Sequence, residues 1–470
     1  MNKRTIKTHF ITGALALILL LNLSCFAFAE ESASTHYDAS QIGQFSAQIL
    51  NWASQEPTLG NSSDGKLFTP SFLSTAGDSG DWWAFGVGRA GAEEDYTAYL
   101  TALSENVSSL YAKNEGKLSN ALTDYHRIIL TVLALGGDPS SIGTYDEKPI
   151  NLLQDGLFSP VPPTAQGVNA ILFELLCLDA KDYILPDGLS FTRDSLICDL
   201  LKEQTADGAI SASWGVDPDF TSMAVMALAP YMNSDKKYSF VSNQIKEENQ
   251  APATIEITAK EAVNSMLNYL SSIQTDSGAI ENWGPNPCST AQAIIALSSA
   301  GIDCQTDQRF IKNGNTLLSA LISYQCDNGG FSMSLSTEEQ PASPDAYTSN
   351  QALQALAAYQ RLLEGKTSLY DHKEGSIGLN ETAAYPSFDL QRSKITVSGS
   401  FSENTTALVA CYKNGSLIGT HVAALTSVKD NSYEIDFSAL AAGYDSLRLM
   451  LWDGVQQLSP KTVPVSFILR

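Results

Sequence analysis

Four acids stand where apolar, helix-like segments begin: Asp124, Asp217, Asp219 and Asp345. Carboxyl groups gathered in one cleft can share acid and base work, as glycoside hydrolysis requires. A lone carboxyl at a helix start more commonly caps the backbone. The densest case is Asp217–Pro218–Asp219–Phe220–Thr221. Read locally, Asp219 is the cap, Thr221 supports it, and the positive helix end favours the charged carboxylate and lowers its pKa. Aromatic and amide residues lie near the same helix starts. Trp82, Trp83, Tyr125, Gln166, Asp219, Phe220, Tyr347 and Asn350 form the expected ligand-binding set. Convergent aromatics, amides and a few acids suit an organic ligand. The plainer alternative is that the aromatics fill the centre and the amides cap helices. No catalytic residue is expected, and Asp219 is the alternative.

Metal chemistry finds no ligand pattern in the sequence. There is no CxxC and no HExxH, and the five His are scattered. No zinc is expected. Cys177, Cys198, Cys288, Cys304, Cys326 and Cys411 lack the regular spacing of a disulfide framework, and a chain this long can build a core without one.

The elements that must position these residues repeat. A helix-like stretch ends in Gln, a Gly follows, and an aromatic comes soon after. The copies are Gln204, Gly208 and Trp214; Gln274, Gly278 and Trp283; Gln325, Gly329 and Phe331. Repetition at this scale means stacked supersecondary units. The three aromatics are expected to pack over helix–helix turns. Between residues 38 and 365, amphipathic segments alternate with segments apolar nearly all round. The first kind spans 41–54, 95–111, 150–157, 192–204, 258–274 and 314–325. The second spans 82–90, 123–135, 164–178, 219–229, 289–300 and 346–363. Six outer and six inner helices predict an all-α (α/α)6 toroid. An open helical solenoid is the structural alternative.

Residues 366–386 read as a linker, rich in Gly, Ser, Thr and charge. Short β-favouring runs follow across 387–470, predicting a small all-β sandwich with Trp452 as a core anchor. At the other end, Lys3, Arg4 and Lys7 precede an apolar run, and Ala27–Phe28–Ala29 offers a cleavage site. Residues 1–29 read as a signal peptide, so the expected location is secreted or cell-surface. A retained or lipidated segment (Cys25 follows a poor lipobox) is the only route to a membrane. Without residues 1–29 the chain holds 25 Lys and Arg against 51 Asp and Glu, a net of −26. Such a surface repels nucleic acid.

The Gln–Gly–aromatic phrases, each followed by an apolar helix, resemble the repeats of squalene cyclases and protein prenyltransferases. The layout is similar to secreted bacterial prenyltransferase/squalene oxidase repeat proteins. The resemblance covers about residues 38–370 and is strongest over 204–359. It implies an α/α toroid, a fold that also carries cobalamin-binding domains, so a corrinoid joins the ligands such a mouth could take. Asp219 falls on the proton-donating Asp of the cyclase DxDD-T motif, but Phe220 replaces the second Asp of the pair. Asp303 and Cys304 are adjacent, which does not match the prenyltransferase zinc pair.

The expected function is therefore a non-catalytic ligand-binding or surface-interaction module. Its partner would be a small organic ligand or a cell-surface polymer. The alternatives are a terpene-cyclase-type enzyme using Asp219 and a glycan-active (α/α)6 enzyme.

Overall fold

The computed structural model describes residues 36–243, 254–373, 383–389, 394–399, 405–413, 416–429, 432–438, 446–453 and 465–468. The signal-peptide reading of residues 1–29 lies outside them.

Six apolar helices form the inner layer: α2 (Asp81–Ala90), α4 (Leu122–Ala134), α5 (Val168–Ala180), α7 (Pro218–Leu228), α9 (Pro287–Ser299) and α11 (Ala346–Leu363). Each packs on the next, and α11 packs back on α2. This is a closed helical toroid, not an open superhelix. Burial on both sides explains why these helices lack a polar face. In α9, for example, Ala291, Ala293, Ile294, Ile295 and Leu297 are all fully buried.

The outer layer comprises α1 (Ala39–Gln55), α3 (Tyr96–Lys113), a single wide turn at Leu153–Leu157, α6 (Arg193–Leu201), α8 (Ala259–Ser272) and α10 (Leu317–Ile322). Local capping fixes where several of them start. In α1, Asp38 Oδ1 accepts the Gln41 N–H at 2.9 Å while Gln41 Oε1 accepts the Asp38 N–H at 3.0 Å. Thr258 and Glu261 form the same reciprocal box at α8.

The repeated phrase is the joint between units. Gln204, Gln274 and Gln325 each donate from Nε2 to the carbonyl of their own turn glycine, at 3.2, 2.9 and 3.2 Å. Each amide also donates to the neighbouring outer unit: Ala262 O, Phe310 O and Gln48 Oε1. The glycines sit at φ +97°, +89° and +95°. A Cβ there would lie 2.4 Å from Ser265 O, 2.5 Å from Thr316 O and 2.7 Å from Gln48 O. Only glycine permits both that backbone and that approach. The third joint therefore meets the first outer helix, and the outer layer closes as well.

The structure corrects the aromatic member of the phrase. The residue equivalent to the buried Phe331 is Ile210 in the first copy and Ile280 in the second. Each bridges back to its Gln. Each also donates its N–H to a hydroxyl on the following inner helix: Thr221, Thr290 and Ser349. Trp214 and Trp283 do not pack over the turns; they stand at hairpin tips in solvent.

At the C-terminal ends of the inner helices, residues 367–373 lie across the ring. Leu369 and Tyr370 join the toroid core. Arg89 Nη2 donates to Ser368 O and Asp371 O, and the His372 N–H donates to Ala180 O. The segment read as a linker from 366 thus begins as a docked strap. No described helix is long and apolar enough to cross a membrane.

Beyond the strap, two four-stranded antiparallel sheets form: Ala383–Asp389 (β1), Lys394–Gly399 (β2), Ser432–Asp436 (β6) and Thr426–Lys429 (β5) in one, and Ser416–Ala424 (β4), Thr405–Lys413 (β3), Ser446–Asp453 (β7) and Val465–Ile468 (β8) in the other. Alternate residues such as Val397, Ala407, Val409, Leu447, Leu449 and Leu451 share one core. The same alternation puts Trp452 on the opposite face of β7, so it does not anchor that core.

Candidate functional site

First turns of neighbouring inner helices meet side by side, so the six helices run parallel and open at one end. Gln166 Oε1, just before α5, accepts the Leu122 N–H of α4 at 2.8 Å. Gln292 of α9 donates to Gln351 of α11 at 2.5 Å. Cys288 Sγ lies 3.9 Å from Thr348 Oγ1. This end is the mouth of the toroid, opposite the strap.

The repeat makes three helix starts equivalent. Asp217, Asn286 and Asp345 are the caps of α7, α9 and α11. Two residues on, in matching positions, come Asp219, Cys288 and Tyr347. Asp219 is therefore not the cap. Asp217 Oδ1 accepts the N–H groups of Asp219 and Phe220 at 2.8 and 3.1 Å, and its Oδ2 accepts the Trp214 indole N–H at 3.0 Å.

Freed from capping, the Asp219 carboxyl turns inward. Its Oδ1 is buried with no hydrogen-bond partner among the described residues. Burial pushes its pKa up to about 6, and the nearby Asp217 charge pushes the same way. A hydrogen bond from Ser289 opposes the rise without cancelling it. Ser289 in turn accepts from Asn282 Nδ2 at 3.0 Å. The expectation that the helix end would hold this pKa down is corrected, because desolvation outweighs the helix dipole here.

The expected ligand residues divide. Phe220 and Tyr347 stand at the mouth beside Asp219. The Phe220 ring lies 5.3 Å from Trp214, and Tyr347 is 66% exposed. Trp82 is half-buried, its ring 5.5 Å from Phe173 of α5. Gln166 bridges the rim, donating to Asn120 O at 2.9 Å. Trp83, Tyr125 and Asn350 are engaged within the protein. Trp83 is buried against Trp52 of α1. Tyr125 is buried, and its hydroxyl accepts the Leu118 N–H at 2.9 Å. Asn350 lies in the wall between α11 and α2, where its Oδ1 accepts from Gln354. Successive helical residues point about 100° apart, so nearness to a helix start does not select the inward face.

The sequence reading missed the most exposed members of the site. Trp214 is 68% exposed and Trp283 is 103% exposed. They top the hairpins Ile210–Ala212/Gly215–Asp217 and Ile280–Glu281/Pro285–Asn286. Trp283 holds φ +60°, an uncommon backbone for a bulky residue. Met333 and Leu335 add apolar surface, and Pro285, Tyr324, Met333 and Leu335 line a cleft of about 390 Å³. The flanking glycines Gly215 and Gly284 were the available signal for tips.

The other acids at helix starts are engaged. Asp124 pairs with Arg127 at 2.9 Å, and Arg127 also pairs with the buried Asp81 at 3.0 Å. Asp345 accepts from the Thr348 N–H and hydroxyl. Among the described residues no cluster of three or more potential metal ligands forms.

No protein-family model matches the chain, and no curated protein matches it. Among solved structures it is similar to one from Salmonella enterica subsp. enterica serovar Paratyphi A str. ATCC 9150, described as a possible member of the GH105 family. The identity is 10%, the match covers 70% of this chain and 96% of that one, and the TM-score is 0.34. The resemblance to squalene-cyclase and prenyltransferase repeats is corrected: the structural likeness found is to a possible GH105 protein. The physical reason lies in the joints. The Gln and Gly of each phrase fasten one helical unit to the next, a task that specifies no chemistry.

Proposed function

We propose that the mouth of the toroid is a glycan site, that the chain is glycan-active there, and that Asp219 is its acid. In this reading the ring is an (α/α)6 toroid followed by a β-sandwich. The observation that carries the proposal is the Asp217–Asp219 pair. Asp217 accepts three N–H bonds and remains an acceptor. Asp219, two residues on, is half-buried with its Oδ1 buried and unpartnered, and desolvation pushes its pKa up to about 6. A carboxyl raised by desolvation beside one engaged as a hydrogen-bond acceptor offers an acid and an acceptor in one place. Around them stand Trp214, Trp283 and Tyr347, flat and exposed as sugar-stacking surfaces are, with amides at Asn282, Gln292 and Gln351. Export of the chain, read from residues 1–29, belongs to this proposal.

The test is turnover of an oligosaccharide panel by the full chain and by Asp219→Asn. Loss of turnover by about 10²–10⁴-fold, with binding retained, is expected. Activity should fall as pH rises past about 6, where Asp219 gives up its proton. Unchanged turnover in the variant would refute the acid role.

A passive binding module is the second reading. It is favoured by how fully the other carboxylates are used: Asp124, Asp217 and Asp345 all hold protein donors. Oligosaccharide binding without turnover by the wild-type chain would select it.

A further inference from the structure

The third repeat departs from the other two between its buried phrase residue and its helix cap. In the first two, residues 211–216 and 281–285 turn as short hairpins. In the third, the same interval runs from 332 to 344. The longer segment is a closed loop. The Asp345 N–H donates to Phe331 O at 2.9 Å and draws its ends together. Inside it, the Thr337 N–H donates to Gln340 O, the Gln340 N–H to Thr337 Oγ1 and the Ala342 N–H to Ser336 Oγ, each at 3.0 Å. Every residue from 333 to 341 is exposed. A compact loop braced by its own bonds and free of core packing is where binding function concentrates.

This loop bounds a cleft of about 390 Å³, within the range of ligand sites. Met333, Ser334 and Leu335 come from the loop, Ser277 and Pro285 from the second repeat, and Ser323 and Tyr324 from the end of α10. The Tyr324 hydroxyl donates to Pro285 O at 3.1 Å, which ties the end of α10 to the second hairpin. Met333 Sδ lies 3.7 Å from Cys288 Sγ. Cys288 occupies on α9 the position that Asp219 occupies on α7. The cleft therefore opens beside the mouth.

Its lining contains no Asp, Glu, Lys, Arg or His. A charged group entering it would lose water and gain no counter-charge. Serine hydroxyls alternate there with the apolar surface of Pro285, Met333 and Leu335. Ser323 Oγ, which donates to Ala320 O at 2.7 Å, keeps lone pairs for a further donor. A neutral sugar ring presents the matching pair of features, hydroxyl groups around apolar C–H faces. We infer that this cleft is a subsite for a neutral sugar unit, and that the third-repeat loop selects uncharged glycans that extend from Asp219 past the start of α9. The inference rests on the glycan reading above and adds the substrate class.

The experiment is calorimetry on the full chain at physiological salt. The probes are neutral hexamers of glucose, mannose and xylose, a glucosamine hexamer and hexagalacturonate. At least one neutral hexamer should bind about tenfold or more tightly than both charged ones. The glucosamine hexamer is the stringent control, because the chain's net charge of −23 attracts it to the surface at large. Leu335→Asp puts a carboxylate on the cleft at an exposed position, so the unfolding midpoint should not move. It should weaken the best neutral hexamer about tenfold. Equal or tighter binding of either charged hexamer would overturn the neutral-sugar assignment and leave the glycan site standing. Unchanged affinity of the neutral hexamer in Leu335→Asp would do the same. Binding of none of the five would overturn the glycan site and this inference together.

Discussion

Asp219→Asn should stabilise the folded protein at neutral pH, and by an amount that depends on pH. The carboxyl is held near 6 in the folded chain against an ordinary 3.8. A raised acid pKa means that the folded state binds the proton more tightly than the unfolded chain does. Stability from this group is therefore greatest below about pH 4. It declines between 4 and 6 and levels off above, where the buried carboxylate must be kept charged. The gap corresponds to about 3 kcal/mol at full extent. Asn cannot ionise, so the variant escapes that penalty. It also leaves the real cap, Asp217, untouched. Urea unfolding of both proteins, followed by tryptophan emission at several pH values from 4 to 8, gives the difference directly. The variant should gain on the wild type by about 2–3 kcal/mol between the ends of that range. A difference that stays constant with pH would refute the raised pKa and remove the acid assignment with it. A gain at neutral pH paired with lost turnover is the signature of a group kept for chemistry at a cost in stability.

Trp283→Ala should alter stability by no more than about 0.5 kcal/mol, because the side chain is fully exposed. It should nevertheless weaken oligosaccharide binding about tenfold or more by calorimetry, since an exposed indole of this kind would be an anchor. Gly329→Ala should cost at least about 2 kcal/mol in urea unfolding, because φ +95° disfavours a side chain and the new Cβ meets the Gln48 carbonyl. A neutral result would mean that the joint between the third repeat and α1 is loose. Gln274→Ala removes donors from Gly278 O and Phe310 O and should cost about 1–3 kcal/mol, read as a lowered denaturation midpoint.

The ring was legible because its two layers write different patterns. Helices such as α9, buried all round, cannot be mistaken for the amphipathic α8. The site was legible only in part. Pro218 favours the first helical position, which makes Asp217 the cap and releases Asp219. Reading Asp219 as the cap placed the helix start two residues too late and reversed the inferred pKa. The Trp residues were misassigned by register. Counting from the glycine, the buried position is the second residue on, which is Ile210, Ile280 and Phe331. Trp214 and Trp283 fall beyond it, on tips. The inward or outward facing of Trp83 and Tyr125 depends on how each helix is rotated in the ring, which only packing between helices decides.

The closure of the ring has a consequence for how the chain acquires its structure. Gln325 reaches Gln48 across 277 positions of sequence, Gln305 reaches Tyr37 across 268, and Gln354 reaches Trp82 across 272. None of these contacts can form until nearly the whole toroid has left the ribosome. Until then the apolar flank of α2 waits for α11. The early units can assemble neighbour by neighbour through local contacts, but the last step must bring distant ends together at once. Such long-range closure slows folding and leaves a sticky edge exposed meanwhile. Refolding should therefore show a late phase that reports on α1 and α11, and a chain cut short before residue 346 should aggregate instead of forming a smaller ring.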